Sequence, residues 1–276
     1  MATDCPQIDI EKIISSKNPK LLKFIPKFLM NKVKRTLHID EINWFLRENK
    51  DAGPYDFVDA GLKMFGARIK VEGVENIPAD AKRLIFISNH PLGGLDGLVF
   101  TSVVYHHFGE VFFPVNDLLL NLPNMKGVFL PINKHGRQSR EGVEAIDSAY
   151  AGDKHVLYFP AGLCSRKIKG KITDLDWKRN FLTQAIKYQR DVVPVHITGQ
   201  NSKFFYNLAN IRKKLHIKAN LEMFFLIDEM YNQYDRDITI TFGKPVGWQT
   251  FDKSRKPQEW VQMLRESSYL LESGRE

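Results

Sequence analysis

The chain runs to 276 residues, 43% of them hydrophobic and 26% charged, with a formal net charge of +8. That balance excludes a disordered or fibrous chain, and with no apolar run near the ~20 residues of a bilayer span it excludes a helical membrane-spanning one, leaving one large α/β domain or two small ones. Cys5 and Cys164 form no CxxC pair and no disulfide framework, which fits a reducing compartment, and the excess of base points to nucleic acid, an anionic membrane surface or a phosphorylated substrate.

Residues 1–66 read as helical. Pro26 can open a helix as its first residue. Ile25, Phe28, Leu29, Val33 and Leu37 follow at close to helical spacing. A second helix is expected around Asp40–Asn49, with Ile42, Phe45 and Leu46 on one face, and a third over Pro54–Phe65. From Arg68 the pattern changes. "ARIKVEGVENIP" reads as a strand and turn, and "RLIFISN" is a short apolar run fit for a buried strand. "VFFPVN", "VFLPIN", "HVLYFPAG" and "DVVPVHITG" are further strands, separated by stretches of helical length such as 139–152 and 173–190. "ITITFGKPV" alternates and reads as a late, outer strand, and the tail from Lys256 as a helix with Trp260, Leu264 and Leu271 inward. Strand–helix alternation gives the expected class: α/β, a mostly parallel sheet flanked by helices, preceded by an N-terminal helical segment, with the boundary between residues 66 and 67.

Ligands of open α/β sheets gather outside the carboxyl ends of the strands, so the residues there are the candidates. After "LIFIS" come Asn89, His90, Gly93, Gly94 and Asp96; after "VFLPI" come Lys134 and Arg137; after "VLYF" come Gly162, Ser165 and Arg166. A histidine of near-neutral pKa takes a proton from a nucleophile, and a carboxylate on its other ring nitrogen fixes the tautomer. Gly93 and Gly94 permit the bend that would return Asp96 to His90, and leave room for a substrate. Against this, Gly-Gly-x-Asp-Gly is also an ordinary turn, and "SRKIKGK" and "KHGRQSRE" are also ordinary solvated basic loops. A metal centre is disfavoured, because no His-rich or Cys-rich companion accompanies His90 and Asp96.

Four blocks stand in order over residues 84–199: "NHPLGGLDG", "KGVFLPINKHGR", "YFPAGLCSRK" and "VVPVHITG". Together they resemble the glycerolipid acyltransferases of the lysophosphatidate acyltransferase type, and more closely the hemolysin-labelled bacterial branch. The resemblance implies transfer of a fatty acyl group from an acyl thioester, of coenzyme A or a carrier protein, to a lyso-lipid or lipid-precursor acceptor. It implies His90 as general base and Asp96 as its orienter, Lys134 and Arg166 as the residues that clamp the acceptor's anionic group, and Asn89, Gly93, Gly94, Arg137, Gly162 and Ser165 around the substrate. It implies no covalent acyl-enzyme and no bound cofactor. Two departures stand out. Five residues rather than the usual four separate His90 from Asp96. The third block, usually Glu-Gly-Thr-Arg, has Ala161 in place of its Glu and its Arg two positions late, at Arg166. The acceptor therefore need not be glycerol phosphate; an amino-acid-linked or other lyso-lipid fits as well.

From Lys12 to Asp40 no acidic residue interrupts Lys17, Lys20, Lys23, Lys27, Lys32, Lys34 and Arg35, interleaved with leucine, isoleucine and phenylalanine. Such a basic amphipathic segment, over residues 17–37, suits an anionic membrane surface. The opening "MATDCPQIDIEKII" lacks a secretory pattern, so the expectation is a cytoplasmic protein, peripheral on the inner face of the membrane. Two alternatives remain at this stage: a lipid esterase or thioesterase using His90 to activate water, and a non-catalytic lipid-binding protein. Nucleic acid is not expected, because the basic residues are not interleaved with aromatics across a sheet face and no known motif appears.

Overall fold

The computed structural model describes residues 7–17, 26–115, 119–131, 140–217 and 220–273. Among the described residues four helices come first: α1 (Ile10–Lys17), α2 (Lys27–Thr36), α3 (Ile39–Glu48) and α4 (Pro54–Met64). The α/β region then runs β1 (Arg68–Glu72), β2 (Ile85–Ser88), α5 (Gly94–Phe108), β3 (Val111–Val115), β4 (Phe129–Pro131), α6 (Arg140–Ala151) and β5 (His155–Tyr158). A hairpin, β6 (Arg166–Ile168) and β7 (Lys171–Thr173), precedes α7 (Asn180–Tyr188) and β8 (Val192–Ile197). The chain closes with α8 (Lys203–Lys214), α9 (Leu226–Tyr231), β9 (Asp237–Phe242) and α10 (Pro257–Leu270).

Seven strands form one sheet in the order β1-β9-β8-β2-β5-β3-β4. The pairs from β8 to β4 are parallel; β9 meets β8 antiparallel, and β1 runs parallel to β9. The sheet is therefore mostly parallel, as expected. β2 and β8 are buried along their whole length, which is why they read as unbroken apolar runs. Alternate residues of β2 enter different cores. Phe86 packs with α4 and α5 on one face, while Ile85 and Ile87 pack with α7 and α10 on the other.

Three expectations need correction. β9 is not the outer strand, because β1 pairs beyond it and takes the edge. The stretch 173–190 is helical only from Asn180; its first part completes the β6–β7 hairpin and a loop centred on Asp174. α8 and α9 lie in a stretch for which no element was predicted.

Candidate active site

β2 is the centre of the sheet, and three carboxyl-end loops converge beyond it. His90 leaves β2, and its ring stacks on Phe159 after β5, centroids 4.0 Å apart at 15°. Asn89 spans to β8: its Nδ2 donates to Ile197 O at 2.8 Å, and its Oδ1 accepts from Ile197 N at 2.8 Å. The N–H of Ser165 donates to His90 O at 2.7 Å. The loop carrying His90 is thereby fixed to both neighbouring strand ends.

His90 and Asp96 meet. Nδ1 of His90 lies 3.1 Å from each carboxylate oxygen of Asp96. Asp96 Oδ2 also accepts from the N–H groups of Leu92 at 2.8 Å and Gly93 at 3.2 Å, in the first turn of α5. The helix N-terminus favours the charge there. The bend that returns Asp96 to His90 turns at Gly93, whose φ of 80° and ψ of −113° suit only glycine. An ionised carboxylate accepts and cannot donate, so in the neutral imidazole the proton sits on Nδ1 and Nε2 keeps its lone pair. Asp96 is fully buried, whereas the His90 side chain keeps 17% of its surface exposed.

Burial pulls the His90 pKa down, but the adjacent Asp96 carboxylate and Cys164 outweigh it and hold the imidazole well above its ordinary value. Cys164 is buried beside Ser165, whose N–H meets the His90 carbonyl. A second carboxylate, Asp174, stands behind the loop. Its Oδ1 accepts from the Ser165 hydroxyl at 2.6 Å and from the His90 backbone N–H at 3.2 Å, and its Oδ2 accepts from Trp177 Nε1 at 2.9 Å. Burial pushes the Asp174 pKa up, against these hydrogen bonds and the nearby His90 charge.

Asn89 and Ser165 are buried and committed to the contacts above. Gly93 and Gly94 do not leave their space to a substrate, because α9 fills it. A Cβ on Gly93 would stand 2.8 Å from Leu226, and one on Gly94 2.5 Å from Met230. Arg166 is no surface clamp. It is buried, donates to the carbonyls of Cys164 and Ser165 at 2.7 and 3.2 Å, and pairs with Glu222 at 2.9 Å, over the Phe205 ring. Arg212 closes on the same Glu222 at 2.8 Å. Lys134 and Arg137 lie outside the described residues.

Gly162 borders a cavity of about 430 Å³ with Ala161, Leu163, Leu175, Asp176, Lys178 and Asn220. It lies against the loop that goes on to Ser165, whose N–H meets the His90 carbonyl. Lys178 Nζ stands 3.8 Å from where a Gly162 side chain would begin. A larger open groove, about 1090 Å³, lies between residues 176–180 and α10, and neither cavity is lined by His90 or Asp96. Sequence reasoning missed Phe159, Cys164, Asp174 and Lys178. Only Cys164 and Phe159 carried a signal, inside the third block. Among the described residues no group of His, Cys, Asp and Glu is arranged to hold a metal ion.

The acyltransferase family model matches residues 12–276. The chain belongs to the acyltransferase family. It is 45% identical over 265 residues to a lyso-glycine lipid O-acyltransferase of Bacteroides thetaiotaomicron, covering 96% of this chain and 97% of the relative. It is equally similar to a lyso-glycine lipid O-acyltransferase of Phocaeicola vulgatus, covering 96% and 95%. A structure of the 1-acyl-sn-glycerophosphate acyltransferase PlsC from Thermotoga maritima aligns over 87% of this chain and 94% of that one, with 18% identity and a TM-score of 0.45. The enzyme class implied by the four blocks is thus the class of its relatives.

Proposed function

We propose that the enzyme moves a fatty acyl group from an acyl thioester to the hydroxyl of a lyso-glycine lipid. The acceptor rests on the 45% identity, over nearly the whole chain, to two enzymes of that name. The chemistry rests on one observation: Asp96 holds Nδ1 of a partly exposed His90 and leaves Nε2 as the base. Nε2 takes the acceptor's hydroxyl proton as its oxygen attacks the thioester carbonyl. The tetrahedral intermediate collapses, the C–S bond breaks, and the leaving thiolate recovers the proton from His90. No acyl-enzyme intervenes. Lys178, beside the cavity at Gly162, is the cation placed for the acceptor's anionic headgroup. A glycine headgroup linked through its nitrogen offers a single carboxylate, and one lysine suits it. Arg166, held by Glu222, is not set to grip a phosphate.

Residues 1–66 would form a membrane-associating segment ahead of an acyltransferase domain over 67–276, on the inner face of the membrane. In the described part, α2 exposes Phe28 and Leu29, with Lys27 and Lys32 exposed on the same helix. Lys34 is drawn instead to Glu11 at 2.6 Å. No helix among the described residues is long and apolar enough to cross a membrane.

Cys164, buried next to the residue whose N–H meets the His90 carbonyl and electrostatically coupled to the imidazole, favours a second reading, in which the thiol is acylated first and then gives the acyl group to the acceptor. Cys164→Ala separates the two. Direct transfer predicts acceptor-dependent thiol release within a few-fold of the parent, and mass spectrometry of the quenched parent shows no acyl adduct. Loss of turnover together with an adduct at Cys164 establishes the covalent route.

A further inference from the structure

α8 is an amphipathic helix whose second apolar face is unexplained by the core. Phe205, Tyr206 and Ala209 face inward and are buried. Phe204, Leu208, Ile211 and Leu215 recur at i, i+4, i+7 and i+11 and form another stripe, on the outside. Phe204, Ile211 and Leu215 are 54%, 55% and 63% exposed. The stripe continues beyond the helix: the Phe204 ring meets Phe225 edge-on at 5.0 Å, and Phe224 next to it is 62% exposed. More exposed large apolar side chains fall between 204 and 224 than in any comparable stretch of the described residues.

Charge identifies the occupant. No acidic residue lies between Asp191 and Glu222, and Glu222 itself is buried between Arg166 and Arg212. Lys203, Lys213 and Lys214 are exposed on the same helix. Two copies of this face brought together would oppose cation to cation, whereas an anionic bilayer surface takes both the phenylalanines and the lysines. The patch also leads to the chemistry. Phe224 is two residues from Leu226, whose side chain fills the space over Gly93 in the His90–Asp96 loop.

We propose that α8 and residues 221–225 form a second membrane-docking surface, separate from residues 17–37, that sets the mouth of the active site against an anionic bilayer. The proposal rests on the reading of the enzyme as one that acts on a membrane lipid, and it is tested without turnover. Full-length protein is sedimented with sucrose-loaded vesicles of phosphatidylcholine, with and without phosphatidylglycerol. The comparison includes Phe204→Ser/Phe224→Ser and Lys213→Gln/Lys214→Gln, and each variant's unfolding midpoint and sedimentation coefficient are recorded. The phenylalanine pair should weaken partitioning on the order of tenfold or more on both vesicle types. The lysine pair should weaken it about fivefold per lysine, on the anionic vesicles alone. Partitioning equal to the parent in both variants overturns the proposal. So does a phenylalanine variant that dissolves a dimer while binding vesicles unchanged, which makes a second copy the occupant. A protein inactive on every acceptor, yet losing vesicle binding on these substitutions, retains the surface and removes the acyltransferase reading.

Discussion

The imidazole of His90 has one nitrogen committed and one available, and that asymmetry sets what substitutions should do. His90→Ala removes the base and should lower acceptor-dependent thiol release on the order of a thousandfold, with the fold retained by circular dichroism. The pH dependence carries a sign. His90 must be neutral to accept a proton, and Asp96 and Cys164 hold its pKa above the ordinary value against burial. The rate should therefore rise with pH through a limb displaced to the alkaline side of a free histidine. Asp96→Asn removes the charge that holds it there, so the limb should move to lower pH while the plateau falls on the order of a hundredfold or more. A limb that stays in place would mean that Asp96 does not face His90 during turnover. Asp174 belongs to the same scale but does different work. Three donors converge on its buried carboxylate, and Asp174→Ala leaves the Trp177 indole and the His90 N–H without an acceptor. It should cost on the order of 3 kcal/mol in urea unfolding.

At the scale of elements, α9 and the loop before it hold the site in shape. Gly93 accepts a backbone conformation closed to other residues and makes room for Leu226 at the same time. Gly93→Ala should cost about 2 kcal/mol of stability in urea, and should lower activity beyond what that loss explains, because α9 and Asp96 are displaced together. Glu222 gathers Arg166 and Arg212 beneath the same segment. Glu222→Ala leaves two guanidinium groups facing each other in a buried setting and should destabilise by about 4 kcal/mol. The cation assignment separates here as well: Lys178→Ala should raise KM for the acceptor with kcat nearly unchanged, whereas Arg166→Ala should lower thermal stability. The reverse pattern would return Arg166 to the substrate. The sequence showed the strands after residue 84 because β2 and β8 are buried on both faces, and it showed the His–Asp pair because a glycine bend after a buried strand is a local pattern. It did not show that the bend packs against α9, that Arg166 turns inward to a glutamate 56 residues away, or that Asp174 serves His90 across 84 residues. Those pairings are tertiary, and single-sequence spacing carries no trace of them.

Over the whole molecule, the three-layer fold places one chemical centre at the carboxyl end of the central strand, with basic apolar helices from two parts of the chain nearby. α9 stands between them: His38, between α2 and α3, meets Asp228 at 3.1 Å and stacks on Tyr231, while the α8 patch enters α9 through Phe224 and Phe225. The layered α/β architecture was readable from strand–helix alternation, but the edge position of β1 was not, since its pairing with β9 joins residues 169 apart in sequence. The four-block resemblance was readable too, and the acyltransferase class it implies is that of relatives named lyso-glycine lipid O-acyltransferases.

The central claim is the transfer itself. Purified enzyme is given a long-chain acyl thioester with, in turn, a lyso-glycine lipid, a lysophosphatidate and no acceptor, beside His90→Ala. Thiol release that requires the lyso-glycine lipid, yields its O-acylated product and disappears in His90→Ala is the result predicted. Thiol release without acceptor, or unchanged release in His90→Ala, would contradict the account.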